Sequence, residues 1–395
     1  MTRCLDGGTL DTVKRLPKRP AIIFLVVLAS FVLAACTGRT ADETWPGMTA
    51  DEQGVVYVAY GPAVIAVDVE SNEQLWSFPQ GEGNTAPIYA PPEVADGRVV
   101  FGDFGVSGGL LSPSKKISIY SLDASDGTLN SNWPVGEVAQ DRIIAPALVV
   151  GDRIFVGTAD NLVFALDADS AQPVWSQPFE AEHSIWGKPA YQDGVLFVPS
   201  LDRSVYALDA DSGSLTWKTG VEGSVSDRVV RNSDSVYVGS FDQQAYALDA
   251  RSGEVKWTAP AEASVWGAPL YVDGVVYYAD LNGNVFAVSA ESGESLWQST
   301  GAGYVTAQPV YADGKVFIAS AGDPEDKPDE RTGALIAFDA ETGDELWRSA
   351  TQAPLFTTPV VSGDMVVVAQ DDEQVLLVYF SFDGAQTGSF ERPAA

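Results

Sequence analysis

The sequence predicts an all-β protein, an eight-bladed β-propeller of four-stranded antiparallel blades, and three observations predict it. The stretch Tyr206-Ala-Leu-Asp-Ala-Asp-Ser-Gly-Ser-Leu-Thr-Trp217 is rewritten along the chain, closely at Tyr246–Trp257 and Phe286–Trp297 and loosely at Ile65–Trp76, Phe164–Trp175 and Ile336–Trp347. The recurring tryptophans, Trp76, Trp133, Trp175, Trp217, Trp257, Trp297 and Trp347, fall 57, 42, 42, 40, 40 and 50 residues apart. A period near 40 marks a repeat architecture. Asp-Gly pairs followed by β-branched or aromatic runs supply the third observation: Asp96-Gly97, Asp193-Gly194, Asp273-Gly274 and Asp313-Gly314. Such pairs suit hairpins because both central turn residues need positive φ.

In chain order, residues 1–35 read as a lipoprotein signal peptide: a polar, basic start, an apolar run from Ala21 to Val32, then Leu33-Ala34-Ala35-Cys36. The run is short for a permanent span. Residues 36–43 form a polar tether.

The propeller occupies residues 44–391. Seven Trp-ended blades cover 44–78, 85–134, 143–176, 184–218, 224–258, 264–298 and 304–348, with Trp45-Pro46 expected in the first strand; 355–391 forms an eighth that has lost its Trp. Each blade reads as a strand ending near a proline, a strand after the hairpin turn, the Tyr-Ala-Leu-Asp strand, and a strand ending in Trp. A seven-bladed ring with an overlapping terminal strand is the alternative. Insertions at 104–116 and 322–330 interrupt blades two and seven between the second and third strands. Both belong on the face that carries the blade-to-blade connections, either as functional loops or as tolerated insertions.

The repeated motif has a structural reason. Alternation puts Tyr206 and Leu208 on one sheet face and Ala207 and Asp209 on the other. The small Ala leaves room for an indole, Asp and Ser hold the turn, Gly takes positive φ, and Trp fills the gap between blades with its N–H on a backbone acceptor.

The motif Ala207-x-Asp209-x-x-Ser212-Gly213-x-x-x-Trp217, also seen at Ala247–Trp257 and Ala337–Trp347, resembles the tryptophan-docking signature of quinoprotein propeller repeats. Blade six departs from it with Ser289, blade three with Ala171 and blade one with Asn72. The Cys after Leu-Ala-Ala resembles the bacterial lipobox, which implies lipid on Cys36 and an exported, membrane-tethered body. Together these features resemble the propeller lipoproteins of the outer-membrane β-barrel assembly machinery. That resemblance implies a non-enzymatic scaffold presenting one propeller face to a protein partner, such as a membrane barrel protein. Quinoprotein dehydrogenases share the repeat, and they imply pyrroloquinoline quinone and calcium in the central funnel. A glycan- or peptide-binding module is a third reading.

Outside the repeat few residues suggest chemistry. His183 is the chain's one histidine, and a lone His is more often a surface or packing residue than a catalyst. Trp186 and Trp266 hold equivalent places in blades four and six, either as an aromatic binding surface at the funnel mouth or as packing. Asp227-Arg228 forms an internal ion pair or a ligand contact. Asp323, Glu325, Asp326, Asp329 and Glu330 read as a solvated acidic loop, since two prolines interrupt it and calcium-loop spacing is absent. Neither a catalytic residue nor a metal site is assigned.

Bulk composition excludes other classes. The net charge is −31, and cleavage before Cys36 would remove five basic and two acidic residues, leaving 18 basic against 52 acidic. Such a surface repels nucleic acid. Both cysteines, Cys4 and Cys36, precede the repeats, so the body can form no disulfide and no cysteine-ligated zinc or haem attachment.

Overall fold

The computed structural model describes residues 46–80, 86–107, 115–136, 139–323, 331–370, 372 and 374–393. Cys36, Trp45, the leader, most of the 104–116 insertion and all but Gly322 and Asp323 of the acidic loop lie outside them. Eight four-stranded antiparallel sheets are present, each built from one continuous stretch of chain, with no helix among the described residues. The blades span 47–78, 93–136, 148–180, 190–220, 230–260, 270–299, 310–350 and 360–391. The innermost strand of blade 1 (Gly47–Ala50) lies beside that of blade 8 (Val360–Ser362), so the ring closes with eight units rather than the alternative seven.

The hairpins form where the turn chemistry asks. Asp193 and Gly194 have φ of 49° and 84°, and Asp273 and Gly274 have 46° and 88°. Strand ends differ from expectation in three ways. Innermost strands start at or beyond the proline segment: Leu270–Val272 follows Pro269, and blade 8 begins at Val360 rather than Leu355. Proline lacks the N–H a ladder needs, so pairing begins only beyond it. Outermost strands run on past Trp, as in Leu215–Gly220 around Trp217. In blades 2 and 3 they are two-residue strands, Val135–Gly136 and Phe179–Glu180, that start after Trp133 and Trp175.

Alternation on the third strand feeds two cores. Tyr206 and Leu208 pack toward blade 3 with Phe155 and Trp175, while Ala207 packs toward blade 5 with Val236, Tyr246 and Leu248. Eight apolar clusters result, one in each gap of the ring. Each recurring Trp reaches into the next blade. Trp175 donates to Ala210 O at 3.0 Å, Trp257 to Ala290 O at 3.0 Å and Trp347 to Phe382 O at 2.9 Å. The indole lies flat on the following turn glycine; a Cβ on Gly213 would sit 2.7 Å from the Trp175 ring. Asp209 Oδ1 holds that turn by accepting the Ser212 N–H at 2.8 Å.

Blade 8 closes the ring by exchanging the partners of this joint. In five blades Trp pairs with the motif Ala across a bulge, as Trp217 does with Ala207. Here Gly388 stands opposite Tyr379 at the same register. The aromatic ring has moved to the third strand, and Gly388 makes room for it: a Cβ there would lie 2.8 Å from Tyr379 Cδ2. The Tyr379 hydroxyl donates to Asn72 Oδ1 of blade 1 at 3.0 Å. Asn72, with φ 57°, occupies the place of the docking glycine.

Candidate functional site

Chain passing from the outermost strand of one blade to the innermost of the next crosses one face of the propeller. It meets there the hairpins between second and third strands. Leu201 N donates to Ser184 O at 3.0 Å, and Phe241 N to Ser224 O and Leu281 N to Ser264 O repeat that bond in the next two blades. Val225 N donates to Ser200 O of the preceding blade, as Val265 N does to Ser240 O, so the lacing runs around the ring. The insertion in blade 2 rises from this face: Ile143 N of blade 3 donates to Asp103 O at 3.1 Å, just before Phe104. A two-stranded ribbon, Val106–Ser107 with Lys115–Lys116, forms its base.

Each connection turns inward at the funnel with the same spacing, so Trp186, Ser226 and Trp266 share one position, and Lys188, Arg228 and Ala268 another. Neighbouring connections touch closely. A Cβ on Gly187 would lie 2.1 Å from Asp227 O, which is why glycine follows Trp186. Half-buried aromatic rings gather around this rim: Tyr89, Phe104, Trp186, Phe241, Trp266 and Phe356. Trp266 packs on Phe241 with centroids 5.1 Å apart, and Tyr89 on Phe104 at 4.5 Å. Arg142 caps the second pair, its guanidinium 4.9 Å from the Phe104 centroid. Such rings offer large apolar area at little entropic cost on association.

His183 is exposed beside this rim, ahead of the inner strand of blade 4, which begins at Ala190. Its Nδ1 accepts the Ser184 N–H at 2.8 Å, and its carbonyl accepts the Ser200 hydroxyl at 3.2 Å. These are the bonds of a turn residue. Asp227 and Arg228 stand close, but the closest approach, Arg228 Nε to Asp227 Oδ1, is 3.8 Å. Asp227 is spent on backbone instead: Oδ2 accepts Ala268 N–H at 2.8 Å and Oδ1 accepts Arg228 N–H at 2.6 Å. The ion pair expected there is thus a loose contact, because backbone donors of the next blade claim the carboxylate first.

Sequence reasoning missed the buried pair of the funnel. Lys188 Nζ lies 2.5 Å from Glu93 Oε2, joining blade 4 to blade 2 across the mouth of blade 3. Glu93 is 8% exposed. Burial pushes the Lys188 ammonium below its ordinary value; Glu93 opposes that shift and nearby Arg228 adds to it. The seven docking tryptophans lie between blades, away from this funnel.

The family described as outer membrane protein assembly factor BamB matches residues 36–135, 115–233, 201–303 and 281–390. The chain belongs to this family. Among solved structures, BamB from Moraxella catarrhalis superposes with a TM-score of 0.61 at 18% identity, covering 77% of this chain and 88% of that one. The computationally designed protein Ika8 gives 0.70 at 15% identity, covering 86% and 97%. The quinohemoprotein alcohol dehydrogenase ADHIIG from Pseudomonas putida HK5 gives 0.57 at 18% identity, covering 78% and 66%. At such identities the likeness is one of fold. A segment of the serine/threonine-protein kinase AfsK of Streptomyces griseus is 32% identical over 115 residues, 29% of this chain and 13% of that protein. The chain therefore spans a small part of that curated relative.

Propellers of the quinoprotein type imply quinone with calcium at the funnel. Among the described residues no three His, Cys, Asp or Glu side chains converge as a calcium shell requires. Glu93 is held by Lys188 and Asp227 by backbone N–H groups, so these funnel carboxylates are committed elsewhere.

Proposed function

We propose that this member of the BamB family is a non-enzymatic scaffold, tethered outside the cytoplasm through lipid on Cys36, that presents its funnel-mouth face to a protein partner, with no cofactor of its own. The observation that carries this reading is the rim of half-buried aromatics on the face from which the blade 2 insertion rises. Packed rings beside irregular loops on a rigid ring are the parts a docking surface needs. A membrane barrel protein is the partner class, given the assembly factor whose family the chain joins.

A photo-crosslinking amino acid at Trp266 or Phe104 tests the reading in membranes of the native cell. Crosslinks to a barrel protein from these sites, and none from Ser252 on the opposite turn, are the expected outcome. Equal crosslinking from both faces would overturn the choice of face. Likeness to an alcohol dehydrogenase keeps a quinone oxidoreductase as the second reading. Dye-linked alcohol or sugar oxidation by the mature protein, given pyrroloquinoline quinone and calcium, would displace the scaffold reading.

A further inference from the structure

The funnel holds a spare cation, and the rest of the chain makes that unexpected. Acidic residues outnumber basic ones 54 to 23 overall. Yet Lys188 and Arg228 occupy the same inward position in adjacent blades, near enough for Arg228 to press down the Lys188 pKa. Glu93 answers Lys188. Nothing answers Arg228 fully: its guanidinium makes no hydrogen bond among the described residues, and its Nε is buried without a partner. Asp227 Oδ1, 3.8 Å away, is already bonded to the Arg228 backbone N–H. The Arg228 side chain is 29% exposed and only its Nε is fully buried without a partner, so its outer nitrogens are open to a ligand from the funnel. In the neighbouring connection, whose Gly187 packs against Asp227 O, the Trp186 indole N–H is also buried and unpaired. Holding two cations together in a partly desolvated place is unfavourable until an anion joins them.

We propose that the funnel centre receives one carboxylate group of the docking partner, bound by the Arg228 guanidinium with Lys188 beside it and Trp186 at its edge. A planar guanidinium matches a carboxylate with two parallel N–H···O bonds. Glu93 already offsets Lys188 and Asp227 offsets Arg228 only in part, so at most one further negative charge is answered and a singly charged carboxylate is favoured over a phosphate dianion or a tricarboxylate. The proposal rests on the scaffold reading, since it takes the carboxylate to be a peptide's, a chain end or an Asp or Glu side chain, entering between the rim aromatics.

The test uses the mature protein labelled with ¹⁵N at tryptophan, titrated with N-acetyl-glycylglycine and with its C-terminal amide. Saturable movement of the Trp186 indole resonance by the acid, and binding of the amide weaker by roughly tenfold or more, are expected. Arg228→Gln should abolish the response to the acid while leaving the docking-tryptophan resonances in place, which shows that the fold is kept. Equal effects of acid and amide, or undiminished binding by Arg228→Gln, would overturn the site. Tighter binding of inorganic phosphate would overturn its carboxylate class, and tighter binding of free succinate would overturn the peptide as its source. Failure of the scaffold reading looks different. If wild-type and Arg228→Gln crosslink equally to a barrel protein through Trp266, the scaffold stands and the carboxylate site falls. If neither crosslinks while the acid still binds, docking falls and the anion site stands as a small-molecule site.

Discussion

Asp209 and its counterparts show how one side chain does local work in an acidic chain. Bonds from the Ser212 hydroxyl and N–H hold the Asp209 carboxyl below its ordinary value of 3.8, and Asp249 and Asp339 are shifted the same way. A carboxylate with a lowered folded-state pKa adds stability above the unfolded value, and that stability is lost as pH falls through the folded value. Asp209→Asn keeps a side-chain acceptor but not the charge, so it should melt below wild type at pH 7. The difference should shrink as pH drops below about 4 and vanish in stronger acid, as followed by circular dichroism melts across that range. Trp257 tests the other half of the joint. It is 7% exposed, donates to Ala290 O at 3.0 Å and lies over Gly293. Trp257→Ala should cost about 3–5 kcal/mol in denaturant unfolding. Trp257→Phe, which keeps a ring but drops the N–H, should cost less, about 1–2 kcal/mol.

Among the blades, the eighth is the informative exception. Its Tyr379, Gly388 and Asn72 of blade 1 together replace the Ala, Trp and Gly of the other joints. Tyr379→Ala alone leaves a cavity, and Gly388→Trp alone forces a second ring onto Tyr379. The two together rebuild the joint of the other blades, so their combined cost should fall short of the sum by about 2 kcal/mol in a double-mutant cycle. Additive costs would show that Tyr379 does not stand in for the missing indole. The same blade marks where sequence stops being legible. Seven joints could be read because the motif that makes them recurs within each hairpin, its Trp docking on the next copy of the motif 33–48 residues along, and because the Asp-Gly turns have φ values the residues themselves dictate. The Tyr379–Asn72 contact spans 307 residues and exists only once the ring closes. The funnel divides likewise. Equivalence of Trp186 and Trp266 followed from the repeat, whereas the Lys188–Glu93 pair spans 95 residues and two blades, a distance fixed by ring radius rather than by pattern. Asp227 and Arg228 do pair as adjacency suggested, but loosely at 3.8 Å, because the N–H of Ala268 in the next blade also claims the carboxylate.

At the scale of the whole ring, closure uses side chains rather than an exchanged strand. Every sheet is contiguous in sequence, and blades 8 and 1 meet through an apolar cluster of Met48, Val58, Val67, Val367, Leu377 and Phe390 with others. Polar bonds stitch the same seam: Thr357 Oγ1 to Pro46 O at 3.0 Å, and Ser362 Oγ to Gly54 O at 2.8 Å. The two ends of the described chain therefore both lie at one seam, with Arg392 over the Tyr60 ring. A ring held this way has no privileged opening, since each gap carries its own cluster and its own joint. Joining residue 393 to 46 by a short flexible linker and opening the chain between Glu222 and Gly223 would keep all eight sheets intact. Glu222 is exposed and Gly223 is buried, and the cut lies between the last strand of blade 4 and the first of blade 5, so it severs no sheet. Such a permutant should fold with the same far-ultraviolet spectrum and melt within a few degrees of wild type, on the order of 1 kcal/mol. Opening the chain inside a blade, between Asp211 and Ser212, should cost far more, because it severs the turn on which the Trp175 ring rests. Equal losses from the two cuts would mean that the blade is not the unit of cooperation in this ring.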